Sequence, residues 1–294
     1  MKKLFIFILI FSILLISGCA AKADRFDIVA TTLPVYEFTS SLCNGTGLTV
    51  GRLVTESVSC LHDYTLQVWQ MRMIESADLI VISGAGLEDF LDDALENAEH
   101  IVDASSNAHI HAGTVHGDHS GHNEHEHHHE NDPHIWLSTD NAISMAHTIC
   151  KELSLAYPQH RDVFEENLDF LVHKLNDMQV YGDSQLSDIH SRELITFHDG
   201  FAYFAEGFHL TILEAIEEES GSEASAAEII ELIDLVYTHE LPAVFTEVSG
   251  SDACAGILSA ETGAKVFPLD MAMAGDSYFD AMYHNIDTIK EALK

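Results

Sequence analysis

From Pro158 to Tyr181 the chain runs without a glycine, and Phe164, Leu168, Leu171, Leu175 and Met178 recur at helical spacing. Pro158 suits the first turn of a helix, and Gly182 interrupts the pattern near its far end. One long helix is expected here, either the core helix of a single domain or a connector between two lobes. The flanking sequence favours the connector. A helix is stiff where flexible strands are not, so lobes joined this way should hinge little.

On the N-terminal side, Phe26 to Thr31, Leu48 to Leu53 and the run Asp78-Leu79-Ile80-Val81-Ile82-Ser83-Gly84 read as strands. Val35 to Leu42, Leu66 to Ile74 and Leu87 to Leu95 read as helices between and after them. The pattern returns after the long helix. Leu194 to Phe197, Thr211 to Ala215, Ala243 to Thr246 and Lys265 to Pro268 read as strands, while Ala226 to His239, Ala253 to Thr262 and Phe279 to Leu293 read as helices. Such alternation gives the fold class as α/β, with two Rossmann-like lobes of mostly parallel sheet, each covered on both faces.

The chain opens Met1-Lys2-Lys3, continues through an apolar run from Leu4 to Ile16 and reaches Ser17-Gly18-Cys19. A charged start, a short apolar core and small residues before a break are those of a secretory signal peptide. Ile16-Ser17-Gly18-Cys19 resembles the lipobox of bacterial lipoproteins, with Ile where leucine is usual, which makes Cys19 the lipidated first residue of the mature chain. Removing Lys2 and Lys3 from 13 basic residues leaves 11 against 48 acidic ones. That balance disfavours nucleic acid and anionic lipid as partners and favours cations, although most of the carboxylates need do no more than keep the protein soluble. Export permits disulfides among Cys43, Cys60, Cys150 and Cys254, with Cys43 and Cys60 the favoured pair because both fall in the first lobe. No CxxC occurs, which argues against a thiolate zinc cluster.

Residues 108–132 hold nine histidines among Gly, Asn, Asp and Glu, and almost nothing that could enter a core. A disordered surface loop is expected, one that gathers metal weakly in several arrangements. Its His125-Glu126-His127-His128-His129 matches the HExxH signature of zinc proteases by chance, since the surrounding residues offer a helix no apolar face. Histidines outside the loop make a better site. His62 lies between a predicted strand and a helix, His134 in Asp132-Pro133-His134-Ile135-Trp136-Leu137, His198 just past a strand in Phe197-His198-Asp199-Gly200-Phe201-Ala202-Tyr203, and Asp270 after the strand ending in Pro268. Ligands of α/β sheets collect at these carboxyl ends of strands.

Taken in order, His62-Asp63-Tyr64, Asp132-Pro133-His134-Ile135-Trp136-Leu137, His198-Asp199-Gly200-Phe201-Ala202-Tyr203-Phe204 and the segment from Glu261-Thr262-Gly263 to Asp270 resemble the motifs of the zinc/manganese substrate-binding lipoproteins of ABC transporters. The resemblance covers nearly the whole mature chain, including the His-rich loop that many zinc members carry. It implies two α/β lobes bridged by a long helix, with metal in the cleft held by His62 and His134 from the first lobe and His198 and Asp270 from the second. Manganese members usually place a carboxylate where this chain has His198, and three imidazoles with one carboxylate suit Zn²⁺ better than Mn²⁺. Glu247 is expected to orient a ligand histidine from behind or to stay near the metal without binding it, and a salt-bridged structural role is equally open; Asp63 and Asp199 are weaker candidates for such support. Trp136, Phe201, Tyr203 and Phe204 are read as packing.

The expected organisation is a signal peptide at 1–18, a lipidated tether at 19–25, an N-terminal lobe at 26–157, a linking helix at 158–190 and a C-terminal lobe at 191–294. The expected function is that of a monomeric, lipid-anchored extracytoplasmic zinc-binding protein that hands metal to an ABC-transporter permease, with no catalytic residues. A manganese binder of the same family, a zinc hydrolase working with Asp270 unbound, and a surface adhesin on the same fold are the alternatives.

Overall fold

The computed structural model describes residues 25–56, 61, 64–96, 98–112, 131–215, 225–248 and 253–294. Cys19, Cys60, His62, Asp63 and the HExxH match therefore lie outside the described residues.

Four short strands form the first sheet: β1 (Ile28–Ala30), β2 (Val50–Arg52), β3 (Leu79–Ile82) and β4 (Ile101–Asp103), in the order β2-β1-β3-β4. Every pairing is parallel, Ile28 standing opposite both Val50 and Leu79. The second sheet repeats the plan with β5 (Glu193–Thr196), β6 (Thr211–Ala215), β7 (Ala243–Glu247) and β8 (Lys265–Leu269), ordered β6-β5-β7-β8 and again parallel. In each sheet the strand order reverses beside the lobe's first strand, which opens a crevice at the carboxyl ends there. The second crevice is the one that matters for the site, because β5 and β7 flank it.

Alternation along the strands divides the core. Ile28 and Ala30 face one way and Val29 the other, and Leu194, Ala243 and Phe245 face opposite Ile195 and Val244. The inner faces of both sheets belong to one continuous apolar cluster, into which the long helix Arg161–Gln185 inserts Phe164, Leu171, Leu175 and Met178. The expected connector thus exists, preceded by a 3₁₀ turn over Pro158–His160. Gly182 does not end it. The helix runs on to Gln185 because Gly182 is buried where a β-carbon would collide with the Phe208 ring, so the glycine serves close packing.

Direct hydrogen bonds also cross between the lobes. Trp136 Nε1 donates to Met271 O at 2.7 Å, Tyr278 OH to Trp136 O at 2.8 Å, and Leu33 N to Met273 O at 3.2 Å. In the first lobe, buried Glu88 receives Thr31 Oγ1, Ser83 N and Gly84 N, tying together the ends of β1 and β3. Burial outweighs those hydrogen bonds and pushes its carboxyl up to about 7.

Several expectations need correction. The strand Ile101–Asp103 and the helix Thr139–Ala156 were not anticipated, and the stretch Leu87–Leu95 is a 3₁₀ turn over Asp89–Leu91 followed by a single helical turn. Cys43 is a free thiol, so its pairing with Cys60 is not formed; it sits buried at the end of the helix Leu33–Leu42, where desolvation raises its pKa to about 12. Of the loop expected at 108–132, residues 113–130 lie outside the described residues, and at its described ends Ala112 and Asn131 form an antiparallel bridge. Among the described residues no helix is long and apolar enough to cross a membrane.

Candidate metal centre

His134 owes its position to the residues around it. Pro133 restricts the chain before it, the 3₁₀ turn Ile135–Leu137 follows, and Trp136 within that turn is fully buried. Asp132 Oδ1 accepts from the His134 backbone N at 3.0 Å and lies 2.9 Å from its Nδ1, so one carboxylate fixes both the backbone and the ring. His198 lies two residues beyond β5, its carbonyl held by Thr196 Oγ1 at 3.1 Å. Its Nδ1 stands 3.1 Å from Oε1 of Glu247, the last residue of β7. Both histidines and Glu247 are buried.

The two imidazoles, one from each lobe, meet with ring planes at 87° and centroids 5.0 Å apart. Their Nε2 atoms are 3.3 Å apart. A carboxylate beside Nδ1 places the ring proton there and leaves Nε2 as a donor atom for metal. For two Nε2 ligands on a tetrahedral Zn²⁺ at about 2.05 Å each, the expected N···N separation is about 3.3 to 3.4 Å. The pair already has that spacing.

Asp270, half-buried one residue after β8, is held by its own surroundings. Its backbone N donates to Asn285 Oδ1 and its carbonyl accepts from Asn285 Nδ2, both at 2.7 Å, while its Oδ1 accepts from Ala272 N at 2.8 Å. Among the described residues its carboxylate does not complete a set of three with the two histidines within 4.8 Å. Asp199, also half-buried, adjoins His198 in the chain. Gly200 roofs the pair, since a β-carbon there would lie 2.7 Å from His198 Cδ2 and 3.0 Å from His134 Cε1.

Trp136, Phe201, Tyr203 and Phe204 are all buried in the main core, as expected of packing residues. Glu247 stands behind His198, an arrangement that fits both the supporting role and the salt-bridged structural role expected of it. Asp132 was missed in a supporting capacity, because spacing alone does not show that its side chain turns back past Pro133 onto the His134 ring. For Glu247→Gln we expect zinc affinity to fall about tenfold to a hundredfold, because the amide can no longer anchor the Nδ1 proton as an anion does. Chelator-competition titration measures this, and an unchanged affinity would show that the carboxylate does not tune His198.

The family model described as periplasmic component A of the zinc-uptake complex matches residues 28–292. A zinc-binding lipoprotein, AdcA, of Streptococcus pneumoniae is 28% identical over 308 residues, covering 99% of this chain and 61% of the relative. The chain thus spans less than two thirds of the length of that relative. A putative metal-binding protein of Treponema pallidum is 28% identical over 289 residues, covering 92% and 87% of the two chains. Among solved structures, the Zn(II)-bound ZnuA-like domain of Streptococcus pneumoniae AdcA superposes with a TM-score of 0.75 at 25% identity, covering 92% of this chain and 99% of that domain.

Proposed function

The chain belongs to the family of periplasmic zinc-uptake component A proteins, and on that premise we propose that it captures Zn²⁺ in the cleft between its lobes and delivers it to the permease of an ABC transporter. The observation that carries this reading is the His134–His198 pair, with facing Nε2 atoms at tetrahedral zinc spacing and a carboxylate behind each ring. His62 and Asp270 complete the proposed ligand set, His62 from the first lobe and Asp270 from the second. The family is one of solute-binding proteins, and no catalytic step is assigned to these residues. In this reading Cys19 is the lipid-bearing residue that keeps the protein at the outer face of the cytoplasmic membrane.

Ligation from both lobes makes the cargo part of the contact between them. The bound and released forms then differ in how firmly the lobes are held together, and a permease that recognises the firm form would select loaded protein. The ligand can bias that equilibrium only by its differential affinity for the two forms.

Titration of the mature chain with Zn²⁺ and separately with Mn²⁺, against a competing chelator, tests the proposal. One tight zinc equivalent is expected, with Mn²⁺ weaker by orders of magnitude because imidazole ligands favour the later metal. Tighter Mn²⁺ than Zn²⁺ would sink the zinc assignment while leaving a metal-binding cleft.

A further inference from the structure

We propose that Asn285 is a positioning residue of the metal site, one that fixes Asp270 so that it offers the cargo a single carboxylate oxygen and thereby favours four-coordinate Zn²⁺ over Mn²⁺. The inference rests on the reading of Asp270 as a ligand. Asn285 lies on the helix Tyr278–Leu293 with no exposed surface, on the same face as Tyr278, Met282, Ile286 and Ile289. An amide on an apolar face is costly unless both of its ends are paired. Here both ends go to one residue.

β8 ends at Leu269, so Asp270 has left the ladder that holds the strand. Asn285 takes the ladder's place: its Oδ1 accepts from Asp270 N and its Nδ2 donates to Asp270 O, both at 2.7 Å. A backbone N–H can only donate and a carbonyl only accept, so the amide has one orientation here and grips Asp270 from both sides. The aspartate side chain is committed as well. Its Oδ1 accepts from Ala272 N at 2.8 Å, closing a turn in which Ala272, fully buried, has the left-handed φ of 54°. That conformation is unfavourable for an alanine and persists where the surroundings impose it. Trp136 Nε1 on Met271 O and Leu33 N on Met273 O pin the chain on either side of Ala272. Oδ2 is the oxygen left to a metal. The clamp acts on the backbone, so any closing movement carries Asp270 and its turn together.

The number of oxygens offered bears on which metal is preferred. Three imidazoles and one carboxylate oxygen complete the tetrahedron of Zn²⁺, whereas Mn²⁺ prefers six ligands, mostly oxygen, and gains from a carboxylate that gives both. Taking the second oxygen of Asp270 would break the bond from Ala272 N and undo the turn. If Asn285 only stitched β8 to the last helix, its substitution would lower stability and leave the metal preference as it was.

The experiment compares the full mature chain with Asn285→Ala, Asn285→Ser and Asp270→Asn, using chelator-competition titrations with Zn²⁺ and Mn²⁺, thermal melts, and the visible spectrum of the Co²⁺-loaded protein. Four-coordinate Co²⁺ absorbs much more strongly than five- or six-coordinate Co²⁺. The unaltered chain should give the strong spectrum, and the Asn285 variants should weaken it, lose about tenfold in zinc affinity and narrow the preference for Zn²⁺ over Mn²⁺ by about tenfold. A weak, high-coordination spectrum from the unaltered chain overturns the proposal even if neither Asn285 variant folds. So does an unchanged spectrum and metal preference in a variant that melts at a lower temperature, which is the signature of a stitch. Asp270→Asn separates these failures from the reading beneath them. Zinc affinity within threefold of the unaltered chain would remove Asp270 from the ligand set and the proposal with it, while a large loss there beside unaffected Asn285 variants would keep the ligand and discard the positioning role.

Discussion

Replacing His198 by alanine will weaken the tight zinc equivalent by about a hundredfold to a thousandfold. The apparent binding free energy of a protein zinc site is about 10 to 16 kcal/mol, so each of four ligands accounts for roughly 3 kcal/mol. His198 is expected to cost at least that share, because its removal also leaves the buried Glu247 carboxylate without the ring it holds. The loss should appear in two independent measurements. Chelator competition will report the weakened affinity, and the rise in melting temperature that saturating zinc gives the unaltered chain will shrink accordingly. A variant that melts cooperatively without metal yet binds zinc within threefold of the unaltered chain would remove His198 from the ligand set.

Gly200→Ala should be nearly as damaging, although it removes no donor. Its new β-carbon would stand 2.5 Å from Met271 Cε, 2.7 Å from His198 Cδ2 and 3.0 Å from His134 Cε1. The methionine end can swing away, but the two imidazoles cannot, since each is fixed from behind by a carboxylate. The methyl group therefore acts as a wedge between the rings. Overpacking of this kind costs about 1 to 3 kcal/mol, here taken from the aligned state of the ligands, so zinc affinity should fall roughly fivefold to a hundredfold. Stability without metal should change little if the rings splay to make room. An unchanged affinity would mean that the rings are not clamped as firmly as the carboxylates beside their Nδ1 atoms indicate.

The strands most visible in the sequence were those with a continuous apolar run, such as Leu79–Ile82 and the first three residues of Ala243–Glu247, which lie inside parallel sheets. Ile101–Asp103 escaped because it is an edge strand of three residues in which only Val102 is buried. The helix Thr139–Ala156 escaped for a different reason: its buried face is made of Ala142, Ala146, Cys150 and Ser154 as much as of Met145, Ile149 and Leu153, so small residues conceal the period. Of the proposed ligands, His134 and His198, whose rings the structure brings together, were readable from motif context. The aspartate behind His134 was not, because its role depends on a side chain folding back over Pro133, which spacing alone does not reveal. Likewise, Gly182 reads as an interruption of the helical pattern until the Phe208 ring that occupies its missing β-carbon is known.

The loop from Asp270 to Gly275 carries a proposed metal ligand and also the carbonyls of Met271 and Met273, which Trp136 Nε1 and Leu33 N grasp from the other lobe. A binding group and a structural joint are thus consecutive residues of one short span. If Asp270 holds the metal as proposed, any tug on it would be shared at once with the first lobe, so departure of the cargo and loosening of the frame would be a single mechanical event, and an outside protein that prised at this loop would do both.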